Sequence, residues 1–446
     1  MYETIFYQRL RYMKKDFITM KQTLLTLLML CSAVGVSAQY RPRPDAFPPV
    51  EEDFSTKSVT MATTVEEMAD WDRYPTYETY LAMMSRWAET YPTLCHVDTI
   101  GTSVQNRLIL SMYIEVQTDD DLYRPEFFYS STIHGDEVTG YVMMLRLIDT
   151  LLSSYGSSPE LTALVNSTRI SINPLANPDG TYYRGNNTVQ RARRANANGV
   201  DLNRNYPNPF APAKAALAQE NRAMMDYFEA HNFRLSANLH GGAEVMNYPW
   251  DSYTSAQNPH PEAAWWREVG RRFVDTVQSY SPTHFTDVQE ADNGVVAGGD
   301  WYVITGGRQD YVNATYNCLE MTMEISVDKT LSSNRLPEYW HFLAPSFINY
   351  IKEIHNLPAS VGIDPTQAPG YAAAGTLHIY PNPATDRVVV DGLVPGERLW
   401  MYDMQGRLTG CYPSGAESTE IDIKKCPQGV YLLRTEGRQV KLVVER

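Results

Sequence analysis

The sequence predicts a mixed, mostly parallel α/β sheet with helices on both faces, followed by a small all-β sandwich. Three observations carry this. From about residue 61 to 356, short apolar runs that read as strands alternate with longer segments of helical apolar spacing. A stretch rich in Pro, Gly and Ala without periodicity, Leu357 to Gly375, then interrupts the pattern. From Thr376 only short β-rich runs separated by Gly and Pro turns remain. A chain of 446 residues, 43% hydrophobic and 20% charged, is globular in composition and long enough for two or three domains of roughly 100–200 residues.

Taken in order, the spacing predicts a helix over Tyr77–Tyr91 and strands over Leu108–Val116 and Glu126–Ile133. A helix over Glu137–Ser153, a strand over Arg169–Asn173 and a helix over Ala213–Ala230 come next. A strand over Arg234–Leu239, a helix over Glu262–Tyr280, a strand over Cys318–Ile325 and a closing helix over Glu338–Asn356 complete the large region. The C-terminal strands are expected in LHIYPNP, RVVVDG, RLWMYDMQG, GVYLLRTEG and VKLVVER. The implied organisation is 1–38 as signal peptide, 39–60 as a Pro-rich, charged, disordered leader, 61–356 as the main domain, 357–375 as linker and 376–446 as the β module.

The signal peptide is read from Lys21, the apolar run Leu24 to Val36 and the small residues Val36-Ser37-Ala38. That run falls short of the roughly 20 apolar residues needed to span a membrane, so the mature chain is expected to be secreted or surface-exposed without a transmembrane helix. Met13 and Met20 are alternative starts. The formal charge is −14, and cleavage after Ala38 removes five basic but only two acidic residues. Such a surface repels nucleic acid and attracts cationic peptides. Cys95, Cys318, Cys411 and Cys426 are too few for a disulfide scaffold; pairing of Cys411 with Cys426 is left open.

Four constellations carry chemistry. His134 and Glu137, three apart in IHGDE, fall at a strand end, and His240 in NLHGG falls at another. Each histidine alone reads as a satisfied turn residue. Two His and one Glu together make three protein ligands with an open fourth position, the pattern of a catalytic zinc, whose bound water has a pKa lowered towards ~7. The segment GVDLNRNYP, preceded by Arg191, Arg193 and Arg194, offers a guanidinium fork to a carboxylate. Further on come Trp301-Tyr302, GGRQD, and a strand whose Glu320, Thr322 and Glu324 share one face.

In order and wording, IHGDE, NPDG (Asn177 to Gly180), GVDLNRNYP, LHGGAEVMNYPWD, GGRQD and MTMEIS resemble the zinc metallocarboxypeptidases, which include carboxypeptidases A and B and the regulatory carboxypeptidases D, E and N. The resemblance spans about residues 65 to 356. It implies one zinc ion held by His134, Glu137 and His240, with Glu324 as general base. It implies Asn203 and Arg204 as the grip on the substrate's terminal carboxylate. Arg194 falls at the residue that polarises the scissile carbonyl, with adjacent Arg193 as the alternative, and Tyr302 falls at the tyrosine that caps the substrate. Gln309 lies at the floor of the specificity pocket, as in the regulatory enzymes, and Asp251 in NYPWD falls where those enzymes pair a C-terminal Lys or Arg. A turn-forming Asp is the plainer reading of Asp251.

The resemblance thus implies hydrolysis of the C-terminal peptide bond of peptides or proteins, with a Lys/Arg preference. Trimming of cell-wall peptides, deacylation of acyl-amino acids on the same fold, and a non-catalytic adhesin are the alternatives. The C-terminal module, with TLHIYPNPATDRV, YDMQGR, GVYLLR and VKLVVER, resembles the sorting domain of the type IX secretion system. It implies the export machinery as a second partner. A β-domain of the regulatory enzymes is the rival reading.

Overall fold

The computed structural model describes residues 58–116, 124–211, 216–316, 318–358, 377–393, 398–403, 408–413, 418–435 and 439–445. The expected signal peptide, nearly all of the leader and nearly all of the linker lie outside them. Two short strands, β1 (Met61–Ala62) and β2 (Tyr74–Pro75), pair in parallel ahead of the main sheet. Its strands are β3 (Cys95–Thr102), β4 (Leu108–Ile114), β5 (Glu126–Ser131), β6 (Arg169–Asn173), β7 (Phe233–His240), β8 (Ala243–Tyr248), β9 (Val295–Ala297) and β10 (Leu319–Ser326). They lie in the order β3-β4-β6-β5-β7-β10-β8-β9. β6, β5, β7 and β10 run parallel to one another, as do β8 and β9. β3, β4 and the β8–β10 pair supply the antiparallel contacts.

The helices are α1 (Tyr77–Thr90), α2 (Thr139–Ser154), α3 (Pro159–Ser167), α4 (Pro178–Thr181), α5 (Gln219–Ala230), α6 (Ala263–Tyr280), α7 (Gly298–Trp301), α8 (Arg308–Thr315) and α9 (Leu336–Lys352). Their starts follow ordinary capping chemistry. Thr76 caps α1 by accepting the Thr79 N–H, and Ser158 caps α3 by accepting the Leu161 N–H, with Pro159 at the first helical position. α2 buries eleven of its sixteen residues, so it is a core helix packed on the sheet through Tyr141, Leu145 and Ile148.

Two expected helices begin later than their periodicity predicts. The second long helix starts at Thr139 rather than Glu137, because the Val138 N–H is taken by the Lys329 carbonyl and the Glu137 N–H by that of His134. The helix expected from Ala213 starts at Gln219. Residues 212–215 lie outside those described, and Ala218 is extended with its N–H donated to Asn205 Oδ1. β3, β8, β9, α3 and α8 carry no strong period of their own, and the sequence reading missed them.

All eight residues of β10 are buried, the Glu320–Thr322–Glu324 face included; the plainer sequence reading of that face, a half-exposed polar surface, is therefore wrong. Residues i and i+2 of a strand share a face, and this one looks into protein. Arg308 from α8, itself fully buried, donates Nε and Nη2 to the two Glu320 oxygens at 2.8 and 2.9 Å. It also donates Nη1 to Ser130 Oγ on β5. Removing one partner of such a pair strands a buried charge. Arg308→Met is therefore expected to cost about 3 kcal/mol of stability, at the low end because Ser236 Oγ still donates to Glu320. Urea denaturation checks this; a midpoint equal to that of the parent protein contradicts it.

In the C-terminal segment, strands β11 (His378–Tyr380), β12 (Arg387–Asp391) and β15 (Ser418–Asp422) form one antiparallel sheet. Strands β13 (Arg398–Asp403), β14 (Leu408–Pro413), β16 (Gly429–Arg434) and β17 (Gln439–Val444) form another, in the order β14-β13-β16-β17. Val388, Val390 and Ile421 from the first and Leu399, Met401, Leu433 and Leu442 from the second share one core. β14 and β15 were not foreseen. None of Cys95, Cys318, Cys411 and Cys426 is in a disulfide, so the Cys411–Cys426 pairing left open by the sequence is not made.

Candidate active site

The C-terminal ends of three neighbouring parallel strands, β5, β7 and β10, meet where open α/β sheets present their sites. β5 ends at Ser131, and Thr132 turns the chain with φ 58°, an outlying conformation for a β-branched residue. Its Oγ1 donates to the carbonyls of Ser131 and Pro174. Gly135 follows, pressed so closely on Gly180 that a Cβ would lie 2.4 Å from the Gly180 carbonyl carbon. Asn177 clamps this crossing: Oδ1 accepts the Gly180 N–H, and Nδ2 donates to the carbonyls of Ile133 and Arg194. The NPDG and IHGDE segments are thus two halves of one cradle that aims His134 and Glu137.

β7 ends on His240, and Glu324 of β10 is its cross-strand neighbour in register. His134 Nδ1 lies 2.9 and 3.0 Å from the Glu137 oxygens and 3.0 Å from His240 Nδ1, which is 2.7 Å from Glu137 Oε2. All three residues are 3% exposed. The proton positions follow from the partners. Arg194 Nη1 approaches His134 Nδ1 at 3.1 Å, and a guanidinium only donates. His134 Nδ1 therefore carries a lone pair, and its proton sits on Nε2, donated to Asp201 Oδ1 at 3.1 Å.

His240 Nε2 faces the Asn238 amide at 2.9 Å, while Asn238 Oδ1 has no partner. A half-turn of that amide makes Oδ1 the acceptor of Nε2–H and leaves the His240 Nδ1 lone pair facing inward. Burial lowers the His240 imidazole to about 4, which keeps it neutral at neutral pH. Two imidazole lone pairs and a carboxylate thus face one another with their atoms within 4.8 Å. Such a donor set repels itself unless a cation lies between, and its two nitrogens and one carboxylate suit zinc with a fourth position open.

Glu324 is 7% exposed, and its Oε2 is buried without a hydrogen-bond partner. Burial, then the Glu137 carboxylate, pushes its carboxyl well above the usual range. Arg194 reaches the cluster, donating Nε to Asp201 Oδ2 at 2.9 Å and Nη1 to Glu137 Oε1 at 3.3 Å. Arg193 does not; its guanidinium lies 3.7 Å over the ring of Tyr183. Tyr302 follows α7, half-buried and near enough to Glu324 and Arg194 that burial and then Glu324 raise its phenol pKa.

A second group lies beside this one. Asn203 Oδ1 accepts the Arg308 N–H at 2.9 Å, leaving the Asn203 amide nitrogen as its donor toward a ligand, and Arg204 Nη1 donates to the Asn203 carbonyl. Asp251 is 4% exposed. Its Oδ1 accepts Gln309 Nε2 at 2.9 Å, and Gln309 is fixed in turn by Asn247 Oδ1 and the Thr322 N–H. Gly298 leaves the space: a Cβ there would fall 1.9 Å from Asp251 Oδ1. No Lys or Arg lies within 4.0 Å of this carboxylate among the described residues. Burial, then the Asp310 carboxylate, raises its pKa well above the usual range.

Three functional neighbours escaped sequence reasoning. Asp201 stood inside a recognised motif without a role; it orients both His134 and Arg194. Asp310 holds the Asp251 turn by accepting the N–H groups of Asp251 and Ser252 at 2.7 and 2.8 Å. Lys329 places Nζ 3.1 Å from Asp136 and 3.8 Å from Glu137. The first two had a signal in the sequence, their positions in GVDLNRNYP and GGRQD; Lys329 had none.

Two buried histidines and a glutamate at the strand ends of a mixed sheet, with an unpartnered Glu324 oxygen beside them, have the donor set of a mononuclear catalytic metal site. The chain belongs to the zinc carboxypeptidase family, whose model matches residues 80–353. Residues 378–445 match the model of a secretion system C-terminal sorting domain, which favours that reading over a regulatory-enzyme β-domain. Mouse carboxypeptidase D is 33% identical over 309 residues, 67% of this chain but 22% of that protein. Mouse carboxypeptidase M is 34% identical over 303 residues, 64% of this chain and 66% of the relative. Thus the match spans about a fifth of carboxypeptidase D and just under two thirds of carboxypeptidase M. The crystal structure of carboxypeptidase A from Helicoverpa armigera shares the fold at TM-score 0.55 and 19% identity, over 65% of this chain and 75% of that one. That of thrombin activatable fibrinolysis inhibitor does so at 0.54 and 16%, over 64% and 76%. The cell-wall, deacylase and adhesin readings gain no support from these matches. No helix among the described residues is long and apolar enough to cross a membrane.

Proposed function

We propose that the chain is a zinc-dependent metallocarboxypeptidase that releases single C-terminal residues, preferring Lys and Arg, after export directed by its C-terminal module. The observation that carries the reading is the pairing of the His134–Glu137–His240 cluster with the orphaned Glu324 carboxyl group one strand away. His134, Glu137 and His240 would hold the zinc ion, which would supply Lewis acidity and acidify water at neutral pH.

The chain's own residues do the rest. Glu324 takes a proton from the attacking water and returns it to the leaving amine, a role that suits a carboxyl group whose pKa is raised by burial. Arg194, held by Asp201 on its Nε side, donates to the carbonyl oxygen as negative charge develops there. Asn203 and Arg204 take the substrate's terminal carboxylate, which limits cleavage to chain ends. Tyr302 closes over the bound residue. Asp251, with Gln309 at the pocket floor, pairs with the side-chain cation of a C-terminal Lys or Arg; a buried carboxylate in no ion pair within 4.0 Å, with the Arg204 charge acting on it only from farther off, supports that preference. The sorting-domain match supports secretion or display at the cell surface through the type IX machinery.

The purified protein is expected to bind one zinc per chain and to lose all C-terminal residue release on chelation, with recovery on adding zinc back. A C-terminal amide removes the anion that Asn203 and Arg204 hold, so amidated peptides are expected to resist. Release that survives complete zinc removal, or equal cleavage of amidated peptides, contradicts the reading.

A further inference from the structure

We propose that the loop of residues 182–193 is a subsite for acidic side chains of the substrate, upstream of the bond that is cut. This deepens the carboxypeptidase reading and rests on it. Tyr183 is 37% exposed, and two guanidinium groups lie over its ring: the Arg193 carbon at 3.7 Å and that of Arg184 at 5.3 Å from the centroid. Exposed Arg191 lies two residues away. None of these three arginines has a carboxylate within 4.0 Å among the described residues. On a chain with 52 acidic and 38 basic residues, most surface cations have acidic neighbours to choose from, and this cluster stands without one.

Its place gives it a partner. The Arg193 N–H donates to the Gly180 carbonyl, and the next carbonyl, that of Arg194, accepts the Gly135 N–H between the ligands His134 and Glu137. The loop is therefore rooted on the lip of the site, on the Arg194 side. The terminal residue is held by Asn203, Arg204, Asp251 and Gln309, so the rest of the peptide leaves past Arg194. An extended chain advances ~3.3 Å per residue, so side chains upstream of the terminal residue, and not that residue itself, are the ones that meet a loop on this lip. The aromatic face of Tyr183 holds two cations close together. A Glu or Asp carboxylate there meets guanidinium forks, whereas a Lys meets like charge.

The test uses the full chain and blocked peptides ending in Arg, with Glu-Glu, Ala-Ala or Lys-Lys at the second and third positions before the terminal residue. A blocked dipeptide ending in Arg, too short to reach the loop, is the control. The protein is expected to favour Glu-Glu over Lys-Lys by about three- to tenfold in kcat/KM, as exposed ion pairs allow, and less at high salt. The double variant Arg184→Glu, Arg193→Glu is expected to invert that order while cleaving the dipeptide at the parent rate. Hydrolysis of the dipeptide with equal rates on the three longer peptides overturns the subsite and leaves the carboxypeptidase reading standing. No hydrolysis of any peptide overturns both.

Discussion

Replacing Glu324 with Gln is expected to lower kcat by about 10²–10⁴-fold, the range for loss of a general acid–base group, while zinc stays bound. The side chain is buried, and one of its oxygens has no hydrogen-bond partner. A buried unpaired polar atom destabilises a fold, so packing gives no reason for a carboxyl group at this position, whereas proton transfer does. The amide is isosteric and keeps a polar group in place but cannot take a proton. Stability is expected to stay the same or rise, because burial and the neighbouring Glu137 carboxylate already disfavour the ionised form of Glu324. The measurements are kcat on a C-terminal Arg peptide, zinc content and thermal unfolding. A variant that keeps full zinc and works within tenfold of the parent removes Glu324 from the proton-transfer role.

Asp251→Asn is expected to lower kcat/KM for C-terminal Arg and Lys by about 10²–10³-fold, in the range for truncating one partner of a buried charge pair. Release of Phe is expected to hold or improve. Asn can still accept from Gln309 Nε2, so the pocket wall survives and only the charge is lost. The pH dependence has a definite sign. In the free protein, burial and the Asp310 carboxylate hold the Asp251 pKa above the usual carboxylate range, which favours the protonated, neutral form. A bound guanidinium favours the ionised form. The ratio of Arg to Phe release is therefore expected to rise with pH through the raised Asp251 pKa and then level off. Taking the ratio cancels the titration of Glu324, which acts on both substrates. A pH-independent ratio, or equal losses on Arg and Phe, sinks Asp251 as the selector.

What could be read from the sequence was what repeats or what is motif-bound. The parallel strands and long helices show apolar periods, and β6 is found where its pattern places it, Arg169–Asn173. The His134–Glu137–His240 cluster was legible because His134 and Glu137 share one short motif and His240 ends an apolar strand. Cross-strand geometry was not legible. Glu324 stands beside His240 only because β10 inserts between β7 and β8, and no local pattern encodes strand order. The choice between Arg193 and Arg194 needed side-chain direction: one stacks on Tyr183, the other is drawn in by Asp201. The late helix starts at Thr139 and Gln219 turn on backbone bonds to Lys329 and a side-chain bond to Asn205, residues 190 and 14 positions removed from those starts. The Asp251 pocket is assembled from 247–251, 298 and 307–310, three stretches that only the fold brings together.

The most direct measurement is C-terminal residue release by the purified protein from peptides ending in Arg, Lys, Phe and Glu, with and without a zinc chelator. The account predicts chelator-sensitive release of Arg and Lys, weak release of Phe and none of Glu. Zinc-loaded protein that releases no terminal residue from any of the four would contradict it.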